Sequence, residues 1–211
     1  WSMFGSYLAV ASTVINGFTI PGGEVPCNKV EQFDTVTGKW TALAAPSVSS
    51  RTDCYPVYAN SRLHLLGGRF GRSSDDAAAI VYSSMTVYDP AGAGTLVSDL
   101  NPGADSQRHA YSFGLDSANN LIWYFGGSND DGANIWTGAL NSIRTYNVIT
   151  AAWMTTYTNC PVKRWSGAGG YLNAKFFHFF GIDENNALAG DVRIFDPASG
   201  ANGIWSTDTS N

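Results

Sequence analysis

The sequence predicts an all-β fold, and three observations predict it. Glycine and the aromatic residues are abundant, with 23 Gly, 10 Tyr and 13% aromatic residues overall, a composition suited to strands and tight turns rather than long helices. Val, Ile, Thr and Phe cluster in short runs bounded by turn residues. One such run occurs four times along the chain, three times ending in paired glycines. With 211 residues, 44% hydrophobic and 14% charged, the chain can bury a sizeable core and lacks the bias of a disordered segment.

The recurring run reads "NGFTIPGG" from Asn16, "NSRLHLLGG" from Asn60, "NNLIWYFGG" from Asn119 and "NAKFFHFFGI" from Asn173. Its glycines begin at positions 22, 67, 126 and 181, so successive copies lie 45, 59 and 55 residues apart, a period that points to blades, solenoids or arrays. A second signature follows each glycine: "VEQFDTVTGKW" from Val30, "MTVYDPAGAGTL" from Met85, "IRTYNVITAAW" from Ile143 and "VRIFDPASGANGIW" from Val192. Alternation up to an aromatic and an Asp or Asn suits a half-buried strand, and the turn residues after it suit a hairpin into an outer strand. Each repeat therefore predicts an inner and an outer hairpin. In the second repeat the four antiparallel strands run from Cys54 to Ala59, Arg62 to Leu66, Ser84 to Tyr88 and Thr95 to Ser98. The second of them is apolar on both faces, as expected of a sheet sandwiched between neighbouring sheets.

Charge narrows the partners. The formal net charge is −5 and the 12 Lys and Arg are scattered, so no basic stripe exists to neutralise a phosphate backbone and nucleic acid is excluded as a partner. No apolar run approaches the roughly 18 residues that cross a bilayer, and the start at Trp1 has no features of a signal peptide, which reads as a processed chain or a fragment. The low charge and the wealth of Ser, Thr, Asn and Gly suit an extracellular or cell-surface chain, with a cytoplasmic one as the alternative; no N-x-S/T sequon is present.

The double glycine closing a second strand, with a spaced aromatic and Trp farther on, resembles the Kelch repeat family across nearly the whole chain. That resemblance implies a β-propeller of four-stranded blades around a central channel, here a single propeller segment with blades near 1–45, 46–100, 101–157 and 158–211. Two departures stand out: the fourth copy has Gly181-Ile182 in place of the double glycine, and the second has Leu96 where Trp is usual. Four blades are fewer than the six or seven usual in the family, so the chain is expected to be part of a larger ring or to be completed by another chain.

On that architecture an Arg starts the inner strand of each of the last three repeats: Arg51 in "SSRTDCY", Arg108 in "SQRHAYS" and Arg164 in "VKRWSGA". The family's geometry puts this position near the channel mouth, where a ring of guanidinium groups would suit a carboxylate or an acidic peptide. The other reading is that these arginines tie blades together. His109 and Lys163 add local positive charge, and Trp136, in the long third-repeat loop, is a candidate anchor for a protein or sugar. Cys27 and Cys54 fall on a shared rim, so a Cys27–Cys54 disulfide is geometrically plausible, leaving Cys160 unpaired within the chain.

Asp75-Asp76 and Asp130-Asp131 lack the ligand spacing of a calcium loop, and His64 and His178, within second strands, read as structural. No C-x-x-C pair, no catalytic motif and no cofactor motif is present, so neither a metal nor a cofactor is expected. The leading expectation is a non-catalytic binding or scaffold module that presents loops on one rim to a protein or glycan partner. Two alternatives stand beside it: a galactose oxidase-like or sugar-processing enzyme with its site at the same rim, and a structural subunit of a large assembly.

Overall fold

The computed structural model describes residues 2–4, 9–10, 14–15, 18–19, 23–24, 30–43, 53–70, 80–89, 95–100, 107–130, 138–154 and 156–208. Every regular element among them is a strand, every strand pairing is antiparallel, and no helix is long and apolar enough to cross a membrane. The first unit contributes β1 (Ser2–Phe4), β2 (Ala9–Val10), β3 (Val14–Ile15), β4 (Phe18–Thr19), β5 (Gly23–Glu24), β6 (Val30–Asp34) and β7 (Lys39–Leu43). The second contributes β8 (Val57–Ala59), β9 (Arg62–Leu66), β10 (Arg69–Phe70), β11 (Ile80–Val81), β12 (Met85–Asp89) and β13 (Thr95–Leu100). The third is β14 (Ser112–Asp116), β15 (Leu121–Phe125), β16 (Ile143–Asn147) and β17 (Ala152–Met154), and the fourth β18 (Ala168–Leu172), β19 (Lys175–Phe179), β20 (Val192–Asp196) and β21 (Ile204–Asp208).

The second, third and fourth units are each a four-stranded meander, ordered β8-β9-β12-β13, β14-β15-β16-β17 and β18-β19-β20-β21. In the second unit β9 matches the range read from the repeat, β12 and β13 lie within two residues of it, and β8 begins at Val57 where the reading began at Cys54. The first unit is different. Its outer hairpin β6–β7 forms, but β1 pairs directly with β6 to make a three-stranded sheet, while β2 pairs with β5 and β3 with β4 as separate two-stranded pieces. The expectation of four strands in every repeat holds for three of the four.

Local chemistry explains the hairpins. Asn60-Ser61 and Asn173-Ala174 join inner strands as two-residue loops with positive φ at both positions, the backbone twist that matches the twist of paired strands. In the outer hairpins the Asp or Asn of the second signature caps its own turn. Asp34 Oδ1 accepts from the amides of Val36 (2.8 Å) and Thr37 (3.2 Å), Asn147 Oδ1 from Ile149 (2.9 Å) and Thr150 (3.0 Å), and Asp196 Oδ1 from Ala198 (3.0 Å). The aromatic before it and the Trp after it are a cross-strand pair, with ring centroids 5.0 Å apart for Phe33–Trp40, 5.1 Å for Tyr146–Trp153 and 5.0 Å for Phe195–Trp205.

The core lies between sheets. Val57, Leu66, Met85 and Val87 of the second unit pack on Ile122, Tyr124 and Tyr146 of the third, and Trp123, Phe125 and Ile143 of the third pack on Phe176 and Phe195 of the fourth. Leu43 of the first unit packs on Leu63, Leu65 and Tyr88 of the second. Inner strands approach most closely where glycine permits: a Cβ on Gly114 would lie 2.7 Å from backbone atoms of Gly170 and Tyr171, and one on Gly169 2.6 Å from the Phe113 carbonyl oxygen. The glycine-rich stretch from Ser166 to Tyr171, "SGAGGY", is therefore a packing device.

Candidate functional site

The candidate site lies where second strands end in the glycine pairs. In the second unit Gly67 and Gly68 have φ of 57° and 87°, and in the third Gly126 and Gly127 have 65° and 90°. In the fourth unit these conformations belong to Phe180 (61°) and Gly181 (90°). The pair there is Phe180-Gly181, which corrects the reading of Gly181-Ile182. Sheet-bridge partners agree, since Ile182 bridges Trp165 and Leu188 as Ser128 bridges His109 and Ala139.

The arginines explain the glycines. The amide of Gly68 donates to the Arg108 carbonyl (2.8 Å), and that of Gly127 to the Arg164 carbonyl (2.9 Å). The Arg108 amide reaches back to the Tyr82 carbonyl (3.4 Å) and that of Arg164 to Leu140 (3.0 Å). A Cβ on Gly67 or Gly126 would collide with the carbonyl oxygen of the next unit's arginine. Two residues on, the series continues: the Ala110 amide donates to the Asp53 carbonyl (2.8 Å) and that of Ser166 to Ala110 (2.7 Å), and all three residues have positive φ. Arg108 and Arg164 therefore occupy equivalent places. Arg51 lies outside the described residues.

Their side chains are used within the protein. Arg108 is 1% exposed, and its guanidinium donates to the Gly126 carbonyl (3.3 Å) and Ser142 Oγ (3.0 Å). Arg164 is buried too; it donates to the Lys163 carbonyl (3.0 Å) and pairs with Asp191 Oδ1 (3.3 Å), whose other oxygen pairs with Arg193. Burial on its own would raise the Asp191 pKa, but Arg193 and Arg164 together outweigh it and hold the carboxyl below its ordinary value.

At the junction of the second and third units, His109 is fully buried, with Nε2 3.0 Å from the Asp130 carbonyl oxygen and Nδ1 3.6 Å from Asp53 Oδ2. Arg69 Nε pairs with the same Asp53 oxygen at 2.7 Å. Asp53 and Arg69 were missed in the sequence, because neither position is charged in the third and fourth units: Asp53 matches Ala110 and Ser166, and Arg69 matches Ser128 and Ile182. The usable signal was a charge standing where the third and fourth copies carry none. Residues 71–79 and 131–137, the long segments of the second and third repeats, follow Phe70 and Asp130 in the sequence. Trp136, Asp75, Asp76 and Asp131 lie in them, outside the described residues.

The remaining candidates are dispersed. His64 stands against Tyr146 (5.8 Å between centroids) at one junction and His178 against Phe125 (4.8 Å) at the next, so they do not meet. His178 Nδ1 lies 2.9 Å from Ser112 Oγ, and burial, helped by Arg164, lowers its pKa to about 4. Among the described residues no group of three His, Cys, Asp or Glu could hold a metal ion. Cys54 and Cys160 are both buried, and burial raises the Cys160 thiol pKa; Cys27, the other half of the expected disulfide, lies outside the described residues. A groove of about 480 Å³ runs along the inner strands, lined by Tyr55, Tyr111, Phe113 and the backbone of Gly167 and Gly169. Tyr111 is fully buried there, its hydroxyl donating to the Leu66 carbonyl (2.8 Å).

These elements make a braced end of the sheet stack, in which arginine, aspartate and histidine join adjacent sheets. No protein-family model matches the chain, and no curated protein matches it either.

Proposed function

We propose that the chain is a Kelch-type β-propeller segment that serves as a non-catalytic binding module, offering the loops at its glycine-pair end to a protein or glycan partner. One observation carries this reading: a platform in which Asp53, Arg69 and His109 bridge two sheets and Arg108 is buried and internally bonded. Rigid scaffolds with long loops at one end are where recognition concentrates. Three successive four-stranded meanders joined by the same arginine-to-glycine bonding support a radial arrangement of blades. Low charge and abundant small polar residues favour an extracellular or surface setting.

In this reading the buried arginines shape the platform, and loop residues such as Trp136 make the contact. Binding to a printed glycan array and to purified surface proteins tests it, comparing the chain with a variant in which residues 72–78 are replaced by Gly and Ser, and with Trp136→Ala. Both variants are expected to weaken a positive signal at least tenfold with unchanged circular dichroism. Peroxide production from sugar alcohols after copper loading would overturn the reading in favour of an oxidase.

A further inference from the structure

The second–third and third–fourth junctions repeat one aromatic contact. A ring or apolar residue on the rear face of one second strand packs on the aromatic–Trp pair at the front of the next unit. Trp123 lies 5.9 Å from Phe195 and Phe125 lies 4.8 Å from Trp205. One junction earlier, His64 takes the place of Trp123, 5.8 Å from Tyr146. The strand registers make Phe177 and Phe179 the fourth unit's equivalents of Trp123 and Phe125.

The two ends of the stack carry complementary halves of this contact. On the rear of the fourth sheet Phe177 and Phe179 stack on each other, with centroids 6.2 Å apart and planes inclined by 14°, and Leu172 on the same face is 63% exposed. On the front of the first sheet Trp40 packs against Phe33, the rings tilted by 42°, and is 55% exposed. Aromatic faces of this kind on a soluble sheet mark an interface.

At Gly67 and Gly126 the following unit brings a backbone carbonyl oxygen into the space a Cβ would fill; at Phe180 a side chain fills that space. The first unit suits the rear of the fourth because it presents its aromatic pair from β6 and β7, as the third and fourth units present theirs to the sheet before them. We infer that the rear face of the fourth sheet receives the front face of the first sheet of a second copy of this chain, head to tail, with Phe177 and Phe179 closing on Phe33 and Trp40. Such a contact is heterologous: each copy has one donor face and one acceptor face, and copies join into a ring or a chain. It does not use the loop end, so its failure would leave the binding-module reading standing.

Sedimentation velocity on the 211-residue chain over a concentration series tests it. The unmodified chain is expected to associate, and Trp40→Glu and Phe179→Glu each to raise the dissociation constant at least tenfold. Mixing these two variants in equal amounts should restore a dimer and nothing larger, since each keeps the face the other has lost. A chain monomeric throughout the series, or a mixture that stays monomeric while both variants are folded by circular dichroism, would overturn the inference. So would association lost in Phe179→Glu but intact in Trp40→Glu, because that would show rear faces pairing with each other. Should Phe179→Glu fail to fold, Leu172→Lys on the exposed part of the same face takes its place.

Discussion

The third and fourth sheets are built from the same signature in the same order, yet only the third is covered on both faces. In β15 four consecutive residues, from Ile122 to Phe125, are buried, whereas in β19 only Phe176 and His178 are buried and Lys175, Phe177 and Phe179 are half-buried. Trp123 has Tyr157, Tyr171 and Phe195 around it, at centroid distances of 5.1, 5.5 and 5.9 Å. Its counterpart Phe177 stacks on Phe179. The local pattern makes the strand, and the neighbour decides how much of it is core. The glycine pair obeys the same rule: it is strict where another unit's carbonyl presses on it and relaxed at Phe180, which is 52% exposed.

The largest effect expected from this difference is at the matched rings. Trp123→Ala should destabilise the chain by about 3–5 kcal/mol, as for a large aromatic removed from a packed core. Phe177→Ala, at the same place in the next sheet, should cost within about 1 kcal/mol when measured at a dilution where the chain is monomeric. Urea unfolding followed by tryptophan fluorescence and circular dichroism checks both. Equal losses at the two positions would mean that the fourth sheet is covered as well as the third.

Gly126→Ala comes next. It combines a left-handed backbone with a Cβ driven against the Arg164 carbonyl, and should cost about 3 kcal/mol. The loss should appear as a lower denaturant midpoint with an unchanged slope.

A pH effect of intermediate size distinguishes the same junction. His178 is buried and its pKa falls to about 4 in the folded chain, against about 6.5 when unfolded. Between these values the unfolded chain binds the extra proton, so this contribution is complete above about pH 6.5 and is lost as pH falls toward 4. It should amount to about 3 kcal/mol across that window. Thermal melts of the chain and of His178→Gln at pH 7 and pH 4.5 measure it, the variant losing less stability on acidification. Asp191, with its lowered pKa, acts lower on the scale, its share being present above the unfolded carboxylate pKa and lost on further acidification.

Much of this architecture was legible because the repeat supplies four readings of one pattern. The strands from Arg62 to Leu66 and from Thr95 onward fall where the second copy placed them, and the equivalence of Arg108 and Arg164 follows from their spacing to the glycines. Other features depended on contacts between distant residues that do not repeat. Asp53 and Arg69 form an ion pair that, among the described residues, has no counterpart in the third and fourth units, so comparing copies hides it. The pairing of β1 with β6 breaks the repeat in the first unit. The arginines' burial was also invisible, since a positive side chain at a strand start reads the same whether it faces water or donates to Ser142 Oγ. Phe180 was misread for a related reason: glycine spelling was taken for backbone conformation, while a phenylalanine holds the left-handed φ of 61°.

That last residue provides the smallest and most discriminating test. A phenylalanine in the left-handed region carries a backbone cost of about 1–2 kcal/mol that glycine does not. Against this, Phe180→Gly loses the side chain's partial cover over Phe179, 6.4 Å away, and gives the unfolded chain more freedom to lose on folding. The two sides nearly cancel, so Phe180→Gly should shift stability within about 1 kcal/mol of zero, against about 3 kcal/mol for Gly126→Ala at the equivalent position. A near-neutral result in urea unfolding fits a glycine requirement imposed by the following unit, because the turn itself then accepts either residue. A loss as large as that of Gly126→Ala would show that Phe180 is held by contacts of its own, and that the difference between the third and fourth sheets lies in the turn as well as in the neighbour.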